Sequence, residues 1–216
     1  NNSYAVVFNN NSANNLIIDS NITADYSALS FNSSSHDNNI INSNLVTRLD
    51  NSYTVVFSNS ANNLITDSNL ISLGDNAGIL IYMDFASDNL IKNSHLIINS
   101  INDNLVQILH GNLNHFEKNI FDANNLPLGR YVVYLDPSTS QNHFCLNTFL
   151  DSNAYFVFDQ SSSTDYNYDC NGKNQGNIWA NIGDLNITGT EQSTIFGYNI
   201  GDSGSDYPYN YDNSHW

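Results

Sequence analysis

The chain has 216 residues, with 21 Asp and Glu against 5 Lys and Arg, giving a formal net charge of −16 at pH 7. Polyanions are bound by basic groups that replace their counterions, so this balance excludes nucleic acid as a partner and disfavours anionic membrane surfaces. Asn (41 residues) and Ser (27) dominate, yet 40% of the chain is hydrophobic. That is too apolar for disorder and too rich in side chains that compete with helical hydrogen bonds, which leaves a β protein with many turns.

Residues 4–8 (YAVVF) open the chain with a β-branched and aromatic run. Similar runs return at 53–57, 79–82, 105–109, 131–135 and 155–158, with 26–31 as a weaker member. Each is bounded by Asn, Asp, Ser or Gly, which is strand chemistry. Between them lies a second motif, ANNLIIDSNI at 13–22, which returns as ANNLITDSNL at 61–70. Looser copies follow at 39–45 and 88–96, Phe-bearing copies at 115–121 and 143–149, and a degenerate one at 176–179. No stretch of 18 apolar residues interrupts this pattern, so no membrane-spanning helix is predicted.

Two apolar columns emerge. The first is Ile17, Ile40, Ile65, Ile91, Phe116 and Phe144, at steps of 23, 25, 26, 25 and 28 residues. The second lies five residues on: Ile22, Leu45, Leu70, Leu96, Phe121 and Phe149, ending at Trp179. Three residues past each first-column position stands Ser20, Ser43, Ser68, Ser94, Asn119 or Asn147, so each copy reads as strand, tight turn, strand. Three short strands per period, with no room for a helix, predict parallel strands stacked one period apart in three sheets. The expected fold is an all-β, single-stranded parallel β-helix of about seven coils over residues 1–180. Stacked Ser and Asn at the turns are expected to form ladders. Residues 180–216 drop the repeat and turn rich in Gly, Asp, Asn and Tyr, so 181–216 is predicted to be an irregular cap or tail. A β-sandwich would not require recurrence at one fixed period.

The repeats resemble the right-handed parallel β-helix of the pectate-lyase-like superfamily. The nearest variety is the Asn-rich form of NosD-type periplasmic and archaeal adhesin-like surface proteins. The resemblance covers about residues 4–180, and the element at 176–179 followed by Tyr207-Pro208-Tyr209 resembles the way such arrays finish. It implies right-handed coiling. It is nearly silent on activity, because the superfamily includes lyases, hydrolases, phage spikes, adhesins and stalks.

Polyuronate lyases on this fold use a basic catalytic residue. Arg130, after Gly129, is the candidate here, and a solvated loop arginine is the reading taken. The clustered Asp and basic pair of polygalacturonase-like hydrolases have one echo, His110-Gly111. At the ends of successive strands stand Asp84, His110, Asp136 and Asp159. Stacked carboxylates could run acid–base chemistry or hold a metal; the alternative, adopted here, is that these Asp begin turns. A carbohydrate-active enzyme using Asp84, His110 and Asp136, or a glycan-binding module using exposed Tyr, stands as the rival function.

Asp165, Asn167, Asp169 and Asn171, followed by Gly172, resemble the first half of a calcium loop, although Ile178 stands where the closing acid belongs. The scattered histidines and single Met do not supply the soft ligands of a copper site. Sequons at Asn1, Asn10, Asn21, Asn32 and Asn186 fit an extracellular glycoprotein, and Cys145 and Cys170 are expected to pair there. Asn1 starts within a repeat, so the first coil is expected to meet either an upstream part of a longer chain or another subunit, head to tail. These readings converge on a non-catalytic extracellular or cell-surface protein, a stalk, adhesin or filament-forming unit without nucleic-acid partners or membrane insertion.

Overall fold

The computed structural model describes residues 3–74, 78–99, 103–123, 125–127, 129–150, 154–161 and 177–179, plus a short antiparallel pair between Glu191–Gln192 and Asn199–Ile200. Apart from that pair, the expected cap or tail at 181–216 lies outside the described residues. Among the described residues there is no helix, and three parallel sheets form a right-handed type of β-solenoid.

The first sheet contains Tyr4–Phe8, Ser27–Asn32, Ser52–Ser58, Gly78–Asp84, Val106–Leu109, Tyr131–Leu135 and Tyr155–Asp159. The second contains Leu16–Ile18, Asn39–Ile41, Leu64–Thr66, Leu90–Lys92, His115–Glu117 and His143–Cys145. The third runs from Asn21–Ala24 through Asn44–Thr47, Asn69–Ser72, His95–Ile98, Ile120–Asp122 and Thr148–Phe149 to Ile178–Trp179. The chain visits the three sheets in turn and returns beside the strand it left. This makes about six turns rather than seven, or about 29 Å of rod at one strand spacing per turn. Among the described residues, strands of the first and third sheets alone enter a seventh.

Both predicted columns are realised as register. Ile65 pairs with Ile40 on one side and Ile91 on the other, and Phe116 with Phe144. Leu70 lies between Leu45 and Leu96, and Phe149 pairs with Trp179 along the backbone. The first sheet adds two inward columns of its own: Val6, Leu29, Val55, Ile81, Val106, Val133 and Val157, and Phe8, Phe31, Phe57, Met83, Ile108 and Leu135. These columns fuse into one core along the rod. Register turns the Phe copies into ring stacks, with centroids 4.7 Å apart for Phe116–Phe144 and 4.5 Å for Phe121–Phe149. Such contacts add to the stabilisation from burial alone.

Asn serves two separate purposes. The first is an inward ladder at the corner before the second sheet: Asn15, Asn38, Asn63, Asn89, Asn114 and Asn142. Each donates its backbone N–H (3.1–3.2 Å) and its Nδ2 (2.8–3.1 Å) to the Oδ1 of the next. A parallel ladder runs through the next corner, where the backbone N–H of Ser20, Ser43, Ser68, Ser94, Asn119 and Asn147 each meets the side-chain oxygen of its successor at 2.9–3.2 Å. A sharp corner leaves backbone groups without strand partners, and buried groups of that kind must be bonded by side chains.

The second purpose is the bend itself. Asp19, Asn42, Asp67, Asn93, Lys118 and Leu146 hold φ of 48–56° at one corner, and Asn14, Asp37, Asn62, Asp88, Leu113 and Gln141 hold 54–58° at another. Asn and Asp enter left-handed backbone more readily than other non-glycine residues, which is why they fill these positions in the first four coils. The expected ladders therefore account for only part of the Asn content.

Candidate functional site

The strand ends of the first sheet carry the residues singled out for chemistry, and their register differs from a straight column. Asp84 pairs with Leu109, and Asp159 pairs with Leu135 rather than with Asp136. His110 instead lies over Phe85, both in left-handed backbone, with ring centroids 4.5 Å apart and 3° between planes. From there its Nδ1 reaches Asp84 Oδ1 at 3.0 Å, in an exposed pair. The displacement arises because the loops differ in length: the straight column assumed equal corners, and one residue more or less moves a strand end by one register position.

Asp136 and Asp159 are turn residues. Asp136 Oδ1 accepts the Ser138 backbone N–H at 3.0 Å and also its hydroxyl. Asp159 Oδ1 accepts the Ser161 N–H at 2.7 Å. The Ser138 hydroxyl, then the Ser138 N–H, and to a lesser degree the nearby His110 hold the Asp136 carboxyl below its ordinary range. A carboxylate held ionised by its own turn is poorly suited to act as a general acid.

Arg130 lies near Asp103 at the mouth of its strand. Burial pushes the Asp103 carboxyl up, and Arg130 opposes that rise. The sequence reading left Asp103 out, and no repeat position signals it. His115 and His143 are partners in register, rings 4.6 Å apart, and burial pulls the His115 imidazole down, against the opposing pull of Asp88 and Glu117. Among the described residues, no cluster of three or more His, Cys, Asp or Glu is placed to hold a metal ion. The calcium-loop residues Asp165, Asn167, Asp169 and Asn171 lie outside the described residues.

The corner between the second and third sheets forms a shallow polar groove. It has two segments, of about 290 and 390 Å³, which share Asp67 and Asn69. His95 borders it, with Nε2 3.7 Å from Asp122, and so does Lys118, paired with Glu117 at 2.6 Å. Of the sequons, Asn10 and Asn21 are exposed, Asn32 donates its Nδ2 to Ser30 Oγ at 2.8 Å, and Asn1 and Asn186 lie outside the described residues. Cys145 is disulfide-bonded; Cys170 lies outside the described residues.

The Asn15-to-Asn142 ladder went unpredicted as a column, although its signal was present: an Asn stands two residues before every first-column apolar residue.

This geometry defines a parallel β-solenoid with a laddered interior and a varied acidic surface. No protein-family model matches the chain, and no curated protein matches it in sequence. Among solved structures, it aligns with that of trypsin-treated QnrB1, a plasmid-mediated fluoroquinolone resistance protein, at 10% identity over 84% of this chain and 94% of that one. The TM-score is 0.21, so this likeness carries no argument.

Proposed function

We propose that the chain is a non-catalytic structural solenoid of an exported, cell-surface protein, an adhesin-like stalk or filament-forming unit, built on the Asn-rich form of the pectate-lyase-like repeat. The observation that carries this reading is the pair of buried side-chain ladders running the length of the rod. They commit sequence in every coil to rigidity, while the outward positions change chemistry from coil to coil: Leu64, Leu90, His115 and His143 occupy one outward row. Head-to-tail contact, or an upstream part of a longer chain, would cover Val6 and Ile17, which are only partly buried where their counterparts Leu29 and Ile40 are fully so. Sequons at Asn10 and Asn21 and a Cys145–Cys170 bond would suit such a surface. Electron microscopy of the purified protein, with a panel of polysaccharides assayed for cleavage, tests the reading. Short rods or filaments without turnover support it, and turnover abolished by Asp136→Asn would overturn it.

A second reading is carbohydrate chemistry or glycan binding at the strand ends, favoured by one observation, the Asp84–His110 pair beside the exposed Phe85 ring. Glycan-array binding lost in His110→Ala would support it over the structural role.

A further inference from the structure

We infer that the interior corner between the third and first sheets holds one internal water molecule, bonded to the hydroxyls of Ser52 and Ser72 and facing Gly78. Elsewhere along the rod this corner carries the apolar Ala24, Ile98 and Leu105, all buried, and Ser27, whose hydroxyl is bonded to the Leu29 carbonyl at 3.1 Å. In between, Thr47, Ser52, Thr54 and Ser72 bring four hydroxyls into it, all fully buried. Two of them satisfy each other: Thr47 Oγ1 and Thr54 Oγ1 are 2.8 Å apart, and Thr54 Oγ1 also donates to the Ile71 carbonyl at 3.2 Å. Ser52 Oγ and Ser72 Oγ have no protein partner. A buried hydroxyl left unbonded is destabilising, and Ile98 fills the register position of Ser72 one coil on, so packing alone does not call for a hydroxyl there.

Gly78 indicates what they face. It pairs with Ser52 across the ladder. Its backbone is not left-handed, so conformational freedom does not call for glycine here. A Cβ on Gly78 would have three nearest neighbours, all oxygens: Ser72 Oγ at 3.1 Å, the Ser52 carbonyl at 3.3 Å and Ser52 Oγ at 3.5 Å. Gly78 thus lies against two hydroxyls and a carbonyl, and a Cβ there would crowd the Ser72 hydroxyl and the Ser52 carbonyl. Buried water takes two to four such partners. A metal ion would ask for more oxygens and for carboxylate charge, and none of these three groups is charged.

The test is a crystal structure at a resolution that shows ordered water, joined to the unfolding equilibria of Ser52→Ala, Ser72→Ala and the double variant. A water within hydrogen-bonding distance of both hydroxyls is expected. Each single variant should lower the folding equilibrium constant roughly tenfold, and the double variant by less than the product, because the same water is lost once. Ser72→Ala as stable as the parent or more so would mean that the hydroxyl has nothing to bond, and would overturn the inference. So would a well-ordered parent structure without density at that place, which decides the matter if the variants fail to fold.

Discussion

Replacing Asn89 by Ala tests the ladder at its middle. Asn89 is fully buried. Its Oδ1 accepts the Asn63 N–H at 3.1 Å and the Asn63 Nδ2 at 3.0 Å, while its own Nδ2 reaches Asn114 Oδ1 at 3.1 Å and the Ser60 carbonyl at 3.3 Å. Removal leaves the Asn63 backbone N–H without an acceptor and its Nδ2 with only the Ser35 carbonyl at 3.3 Å. The acceptors on the other side suffer less, since Asn114 Oδ1 keeps the Asn89 backbone N–H and the Ser60 carbonyl keeps that of Ser87. One orphaned buried N–H and one amide reduced to a single bond cost about 2–4 kcal/mol together, a large share of a domain's net stability. The assay is urea unfolding followed by circular dichroism, with exposed Asn62→Gly at a corner as control, expected within about 0.5 kcal/mol of the parent.

Asn89→Asp adds a pH signature. At neutral pH the new carboxylate would face the Asn114 and Ser60 oxygens in place of a donor, so this variant should be weaker than the alanine one. Burial among acceptors raises the folded carboxyl above the unfolded value of about 4, so the unfolded chain sheds its proton first. The penalty is therefore absent below about pH 4 and grows as pH rises through the folded value. Stability of Asn89→Ala within about 0.5 kcal/mol of the parent, or a flat pH profile for Asn89→Asp, would refute the claim that these amides hold the coils together.

Other expectations concern the corners, the core and pH. Leu113 holds φ 57° where earlier coils have Asn14, Asp37, Asn62 and Asp88. Leu113→Asn should therefore stabilise by up to about 1 kcal/mol in urea, and a loss would mean that its side-chain contacts outweigh backbone strain. Phe121→Ala should cost about 3–5 kcal/mol through the cavity beside Phe149, and Phe121→Leu much less, since Leu is the column residue one coil earlier. His115 is pulled down by burial, so the unfolded state takes up its proton first. Stability should fall as pH drops below about 6.5 toward the folded value, and His115→Asn should flatten that slope between about pH 7 and pH 5 in thermal melts.

Much of the fold is legible in the chain because a parallel solenoid places each residue over its own counterpart one period on. Ile65 must suit Ile40 and Ile91, and the column appears in the sequence as recurrence. What recurrence cannot carry is the outcome at places where the period varies. Corner lengths shift strand ends by a residue, so Asp84 met His110 diagonally and Asp159 fell opposite Leu135. Whether an Asn turns inward to join a ladder or sits at a corner in left-handed backbone depends on one position of offset within the ANN motif, which the two neighbours Asn62 and Asn63 illustrate. The hydroxyls of Ser52 and Ser72 come from different sheets and converge at Gly78 only through the closing of the coil. Composition and period thus determined the rod and its lengthwise core, since these follow from stacking like upon like. The tertiary structure decided the polar contacts, since these depend on the path of individual loops between sheets.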